Sequence, residues 1–287
     1  MVSMNRLSTE KRAQIIGCLV EGNSIRATVR MTGASKNTIT KLVSDLGLAC
    51  VSYQDRTLRD LPCTTVECDE IWSYCYAKQK NVPDEFKGTF GYGDVWTWTA
   101  ICADTKLVPS WLVGERTYDD ARVFISDLAH RLSAENRLQL TTDGNAPYLR
   151  AVDHATFKGG IDYAQLQKIY GSDPSAQRRY SPPVCMGSKR QVIKGDPDPG
   201  RISTSYVERQ NLTMRMGMRR FTRLTNGFSK KIENLAWAVS IHFAHYNFAR
   251  VHSTLGTSPA VAAGVADHVW SLAELAELME TETSPVK

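Results

Sequence analysis

The chain has 287 residues, 42% of them apolar and 23% charged, the balance of an ordinary globular protein with one large domain or two modest ones. The absence of an apolar run of about 18 residues excludes a membrane-spanning helix. The opening MVSMNRLSTEKR has no apolar stretch after its basic residues, so no secretory leader is expected and the protein is read as cytoplasmic. Seven dispersed cysteines (Cys18, Cys50, Cys63, Cys68, Cys75, Cys102 and Cys185) form no Cys-x-x-Cys pair, which argues against a disulfide framework or a structural zinc site.

The net charge of +5 is unevenly spread. Residues 1–50 carry seven Lys/Arg against three Asp/Glu, and residues 201–250 carry nine against two. Two basic blocks in a balanced chain point to two surfaces that meet a polyanion.

In chain order, the first fifty residues predict three short helices. Ser8 caps a helix over 9–20, Ser24 one over 25–32 and Ser35 one over 36–46, with Gly33-Ala34 as the tight turn between the last two. Two short helices joined by a Gly-containing turn have the helix-turn-helix layout. The third helix would present Lys36, Asn37, Thr38, Thr40 and Lys41 on its N-terminal half, the part of a recognition helix that approaches bases and phosphates.

Residues 51–62 lack periodicity and read as a linker. A β-rich region follows, with TTVECDEIWSYCY as a first strand, VWTWTAICAD as a second and LVPSWLV as a third. Residues 118–133 have helical spacing, RLQLTTD is a fourth strand and 147–152 returns to helix. IDYAQLQKIYG is a candidate fifth strand. Residues 172–200, rich in Pro, Gly, Ser and charge, read as a loop or insertion. Helices are predicted over 206–220, 229–248 and 271–279. The fold class is therefore α/β, a ribonuclease-H-like mixed sheet flanked by helices, with a small all-α helix-turn-helix domain at the N-terminus. The expected division is a helix-turn-helix domain at 1–50, a linker at 51–62, a catalytic domain at 63–255 with an insertion within 153–203, and a C-terminal helical tail at 256–287.

Three acids fall where such a fold converges. Asp69 sits in the middle of the first strand, with Glu67 on the same side and Glu70 on the opposite one. An acid there is costly without a partner, and a metal ion is a natural one. Asp143 ends the fourth strand just before Gly144, where α/β sheets place ligands. Glu208, in SYVERQN, is the sole glutamate between Glu135 and Glu233. Carboxylates suit two Mg²⁺ ions about 3.5–4 Å apart, which act together on the attacking and leaving oxygens of a phosphodiester. Asp69, on the central strand, would bridge both ions, while Asp143 and Glu208 each hold one.

The segments VECDEIWSY, LTTDGNAPYLRAV and YVERQNLTMRMGMRRFTRLTNGFSKKIENL resemble the three catalytic blocks of DDE transposases of the insertion sequence one family. The resemblance covers roughly residues 60–255 and extends to the N-terminal helices. It implies a ribonuclease-H-like catalytic domain, Mg²⁺ dependence (two ions, with Mn²⁺ able to substitute), cleavage at element ends, and attack of the freed 3′-hydroxyl on target DNA. The implied partners are double-stranded DNA, as terminal inverted repeats and target, and further copies of the chain; no membrane or small-molecule substrate is expected. Two features depart from the pattern. The N-terminal zinc-binding cysteines of better-known members are absent, and the 65 positions from Asp143 to Glu208 exceed the spacing in compact members.

Around and after Glu208, Arg209, Asn211, Arg215, Arg219, Arg220, Arg223, Lys230 and Lys231 are candidate DNA contacts, Asn211 and Arg215 on the same helix face as Glu208. Trp72, Trp96, Trp98 and Trp111 read as core packing rather than base-stacking platforms. His242 and His245 read as structural or phosphate-contacting rather than metal-binding. The segment HYNFARVHSTLGTSP resembles the close after the glutamate helix in related transposases and integrases, which brings Arg250 and His252 toward DNA. The competing reading is a helix-turn-helix DNA-binding regulator whose transposase domain has lost activity.

Overall fold

The structure, a computed structural model, describes residues 7–171, 184–222 and 225–282. Arg223 therefore lies outside the described residues. Three N-terminal helices, α1 (Thr9–Val20), α2 (Ile25–Thr32) and α3 (Lys36–Thr57), begin at the expected serines, each of whose side chains accepts from a backbone N–H of the first turn. Gly33 closes α2 in the left-handed conformation (φ 71°), which favours glycine.

The first difference from expectation comes next. The presumed linker at 51–62 is helical as far as Thr57, because α3 keeps an inward face through Ala49, Cys50 and Gln54. Gln54 is what obscured this face in the sequence: a polar residue is buried there, donating to the carbonyls of Cys50 and Ser240.

The centre of the fold is a six-stranded mixed sheet with the order β3-β2-β1-β4-β5-β6. Its strands are β1 (Thr65–Cys75), β2 (Gly93–Cys102), β3 (Trp111–Gly114), β4 (Leu138–Thr142), β5 (Ile161–Gly171) and β6 (Val184–Lys194). β1, β2 and β3 form an antiparallel meander, while β4 and β5 run parallel to β1. This is the mixed sheet with flanking helices that a ribonuclease-H-like arrangement requires. β6, antiparallel to β5, corrects the expectation of a loop over 184–194. Its described side chains before Gly195 are exposed, so no alternating apolar pattern marked it as a strand. The connecting residues, 172–183, lie outside the described residues.

Helices α4 (Tyr118–Arg131) and α5 (Ala146–His154) cover one sheet face, where Phe124, Leu128 and Tyr148 pack on Val66, Cys68, Trp98 and Leu140. On the other face lie α6 (Ser205–Gly217) and α7 (Ile232–Ala244), with Val207, Met214, Leu235 and Val239 against Ile71, Val95 and Ile101. α6 ends at Gly217, short of the expected residue 220, and α7 passes into a π-helical turn at His245–Ala249. The short α8 (Pro259–Ala262) precedes the C-terminal helix α9 (Leu272–Thr281), which opens with a capping box between Ser271 and Glu274.

The N-terminal helices do not stand apart. Ile15, Ile39, Leu42 and Leu46 share one core with Ile241 and Ala244 of α7 and with Leu275 and Leu278 of α9. Gly47 permits the close approach of α3 to α7, since a Cβ there would fall 2.3 Å from that of Trp237. Within the expected tail at 256–287, α9 closes this core, and Glu280 and Glu282 pair with Arg12 and Arg56.

Candidate active site

The parallel register of β1 with β4 ends at Cys68 opposite Thr142, so Asp69 and Asp143, the next residue of each strand, emerge side by side. β4 stops there and the chain turns into α5. Asp143 Oδ1 accepts from the Asn145 N–H (3.0 Å), which fixes the turn. Gly144 is needed for space, because a Cβ would lie 2.6 Å from Gln167 Cγ on β5.

Asp69 faces α6. Its Oδ1 accepts from the Glu70 N–H and its Oδ2 from Asn211 Nδ2, each at 2.8 Å. Asn211, three residues after Glu208, therefore supports a carboxylate and also lines the cleft. Its Oδ1 is buried and finds no hydrogen-bond partner among the described residues. Glu208 opens toward the same cleft from the first turn of α6. Its carboxylate accepts from Thr204 Oγ1 (2.6 Å) and pairs with the Lys168 ammonium of β5. Asp69, Asp143 and Glu208 thus line one cleft of about 750 Å³, together with Arg116, Lys168 and Arg215.

Two further carboxylates belong to this arrangement. Glu67 accepts from the N–H groups of Tyr206 (2.7 Å) and Val207 (3.1 Å), so β1 caps the helix that carries Glu208. Glu70, on the opposite face of β1, accepts from Arg116 Nε (2.6 Å), Asn145 Nδ2 (2.8 Å) and Tyr148 Oη (3.2 Å). Arg116 in turn reaches Asp143 Oδ2 at 3.8 Å. Carboxylate oxygens of Asp69, Glu70 and Asp143 all lie within 4.8 Å of one another. Strand alternation alone set Glu70 apart from Asp69; the end of β4 exposes both sides of β1 to the same cleft. The signal available in the sequence was the Asp-Glu pair inside an apolar strand, where either face makes a carboxylate costly.

Burial, then the neighbouring charges of Asp143 and Glu70, push Asp69 up to about 8. Burial and Asp143 raise Glu70 to about 7 despite Arg116, and burial raises Asp143. Carboxylates held so close and so poorly solvated take up protons or a cation. A hard, oxygen-rich donor set with an orphaned amide oxygen beside it fits a divalent ion such as Mg²⁺.

The candidate DNA contacts divide. Lys36, Asn37, Thr40 and Lys41 of α3 line a groove with Lys230 and Lys231, bringing the two basic blocks of the sequence together. Thr38 stays at the start of the helix, its Oγ1 2.8 Å from Ser35 Oγ. Arg209 and Arg219 are exposed, and Arg215 is half-buried in the cleft. Arg220 is tethered, its Nε donating to Ser229 Oγ (2.8 Å), and lines an adjoining pocket with Lys36, Thr40, Arg219 and Lys230, where burial lowers its pKa to about 10. His242 and His245 are core residues. Burial brings them down to about 3 and about 4, so both are neutral and neither serves as a phosphate contact. Trp98 is buried against Phe124 and the half-buried Trp111 packs on Phe243, as expected; Trp72 and Trp96 are half-buried as well but join no core cluster.

No protein-family model matches the chain, and no curated protein does. Among solved structures, it is similar to the crystal structure of the Mos1 strand transfer complex. That match has 9% identity and a TM-score of 0.34, and covers 100% of this chain and 82% of the other. A likeness of this degree does not assign chemistry.

Proposed function

We propose that the chain is a DDE-type DNA transposase that cuts at the ends of an insertion sequence and joins the freed 3′-hydroxyl to target DNA. The observation that carries this reading is the β1/β4 register that sets Asp69 beside Asp143 in a cleft also lined by Glu208. Asp69, Asp143 and Glu208 would hold two Mg²⁺ ions, or Mn²⁺ in their place. The ions would supply charge neutralisation at the phosphate and activation of the attacking oxygen.

The protein's own part is positioning. Asn211 orients Asp69, and the Asn145 N–H orients Asp143. Glu70 ties Asp143's turn to Arg116. Arg116, Lys168 and Arg215 line the cleft and would bind phosphate oxygens of the cleaved strand. The α3 groove with Lys230 and Lys231 would grip the duplex, α3 reading sequence and the lysines positioning the backbone. Two element ends must be held together for strand transfer, so a homo-oligomer on DNA belongs to this reading, as does bacterial, nucleoid-associated action.

The test is separate replacement by D69N, D143N and E208Q, with Mg²⁺-dependent cleavage and strand transfer measured on element-end DNA. Each should lose activity by orders of magnitude while retaining DNA binding. Retained activity in one removes that residue from the site, and a wild-type chain that binds DNA but never cuts it favours the regulator reading.

A further inference from the structure

The β1–β2 hairpin carries a track of aromatic rings that leaves the candidate active site and is not used in packing the core. On the sheet face that bears Glu70, alternation brings up Trp72 and Tyr74, and the antiparallel register sets Trp96 directly opposite Trp72. Trp98, two residues before the open end on the same face, is sealed under Phe124 and Tyr148. Beyond it the helices stop, and Trp72, Tyr74 and Trp96 are all half-exposed. The track continues to Phe228, whose ring centroid is 4.8 Å from that of Tyr74, while Trp72 and Tyr74 stand 5.8 Å apart.

A cation marks each end. Arg116 lies over the Trp96 ring, its guanidinium carbon 4.8 Å from the centroid, and the same guanidinium binds Glu70 and approaches Asp143. Lys230 lies 4.5 Å over the Phe228 ring. Half-exposed flat rings flanked by cations are the composition of a single-strand binding platform, where bases stack on rings and cations hold the backbone. Residues two apart on a strand are about 7 Å apart, a spacing suited to the bases of an extended, unstacked strand.

We infer that Trp72 and Trp96, with Tyr74 and Phe228, form a stacking platform for unpaired nucleotides of a DNA strand whose backbone enters the acidic cleft beside Arg116. The inference deepens the transposase reading by giving the reacting strand a form, locally unpaired next to the cleavage point. Core packing alone leaves the exposure of these rings unexplained, and a duplex lying in the cleft would not bring base faces against them.

The test uses the full chain without metal and measures fluorescence anisotropy with a mixed-sequence single-stranded oligodeoxynucleotide and with its duplex. W72L and W96L keep apolar bulk but lose the flat ring; W72Y and W96Y keep a ring. The leucine variants should bind the single strand about tenfold more weakly, the effect of one lost base stack, with duplex affinity within about twofold of wild type. The tyrosine variants should recover most of the loss. Unchanged single-strand affinity in both leucine variants overturns the inference, as does an equal loss on single strand and duplex, or a loss that tyrosine does not repair. The assay contains no metal, so its outcome is independent of the cleavage test of Asp69, Asp143 and Glu208.

Discussion

Neutralising Asp69 should stabilise the metal-free protein. Its carboxyl, with a pKa of about 8 against 3.8 for a free side chain, lies roughly four units up. At about 1.36 kcal/mol per unit, keeping it ionised at pH 8 costs on the order of 5 kcal/mol. The repulsion is shared with Asp143 and Glu70, and Asp69 keeps some contact with solvent, so roughly a third, ~2 kcal/mol, should be released by D69N. For a chain of this length that corresponds to a rise in Tm of roughly 5 °C. The sign follows from proton linkage. A carboxyl whose folded pKa is raised binds more protons folded than unfolded, so wild-type stability falls as pH rises from about 4 through about 8. D69N should flatten that fall, and its advantage should vanish only below about pH 4. Saturating MgCl₂ should reverse the order at pH 8, stabilising the wild type by ~2.7 kcal/mol at a hundredfold excess over Kd and the variant far less. Thermal melts followed by circular dichroism, with EDTA and then with Mg²⁺, supply all four comparisons. A D69N melt no higher than wild type at pH 8 in EDTA, or an advantage independent of pH, refutes the reasoning.

By the same linkage Glu70, raised to about 7 although Arg116 and Tyr148 oppose the shift, costs stability when ionised, so Glu70→Gln should raise the urea midpoint at pH 8, with the gain lost near about pH 4, and should weaken Mg²⁺ binding. A midpoint that falls at pH 8 would show that the pairing with Arg116 outweighs the crowding of the carboxylates. Gly47→Ala places a methyl 2.3 Å from Trp237 Cβ and 2.7 Å from its Cα, so α3 and α7 must separate. The overpacking cost of ~1–3 kcal/mol exceeds the ~1 kcal/mol gained in helix propensity, and the urea midpoint should fall; a rise would mean that the two helices are not packed as described.

The sequence was informative wherever one local rule governed. Ser8, Ser24 and Ser35 announced three helix starts because capping depends on the next three residues only. The density of Thr, Val, Ile and Trp marked β1, and Asp143-Gly144 marked a strand end. What escaped depended on distant partners. The exposed strand β6 is defined by its pairing with β5, not by burial, and Gln54 finds its second acceptor in Ser240, 186 positions away. Asn211 reads as a surface residue until Asp69 is placed beside it, and Glu70 joins the cluster because β4 ends where it does. Likewise Trp72 and Trp98 are alike in sequence pattern; only the point at which α4 and α5 stop covering the sheet separates a half-exposed ring from a sealed one.

The contact of Gly47 with Trp237 has a consequence for length. A DNA reader on a loose tether can act at any offset within its reach. Here the helix that would read sequence is seated on α7, which packs on the same sheet that carries the acidic cleft. On the proposed transposase reading, the span from groove to cleft would be a fixed gauge, and the number of base pairs between a recognised sequence and the broken bond would be set by the protein's own dimensions. Inserting half a helical turn of DNA between them would point the scissile phosphate away from Asp69, however well each part of the site were bound.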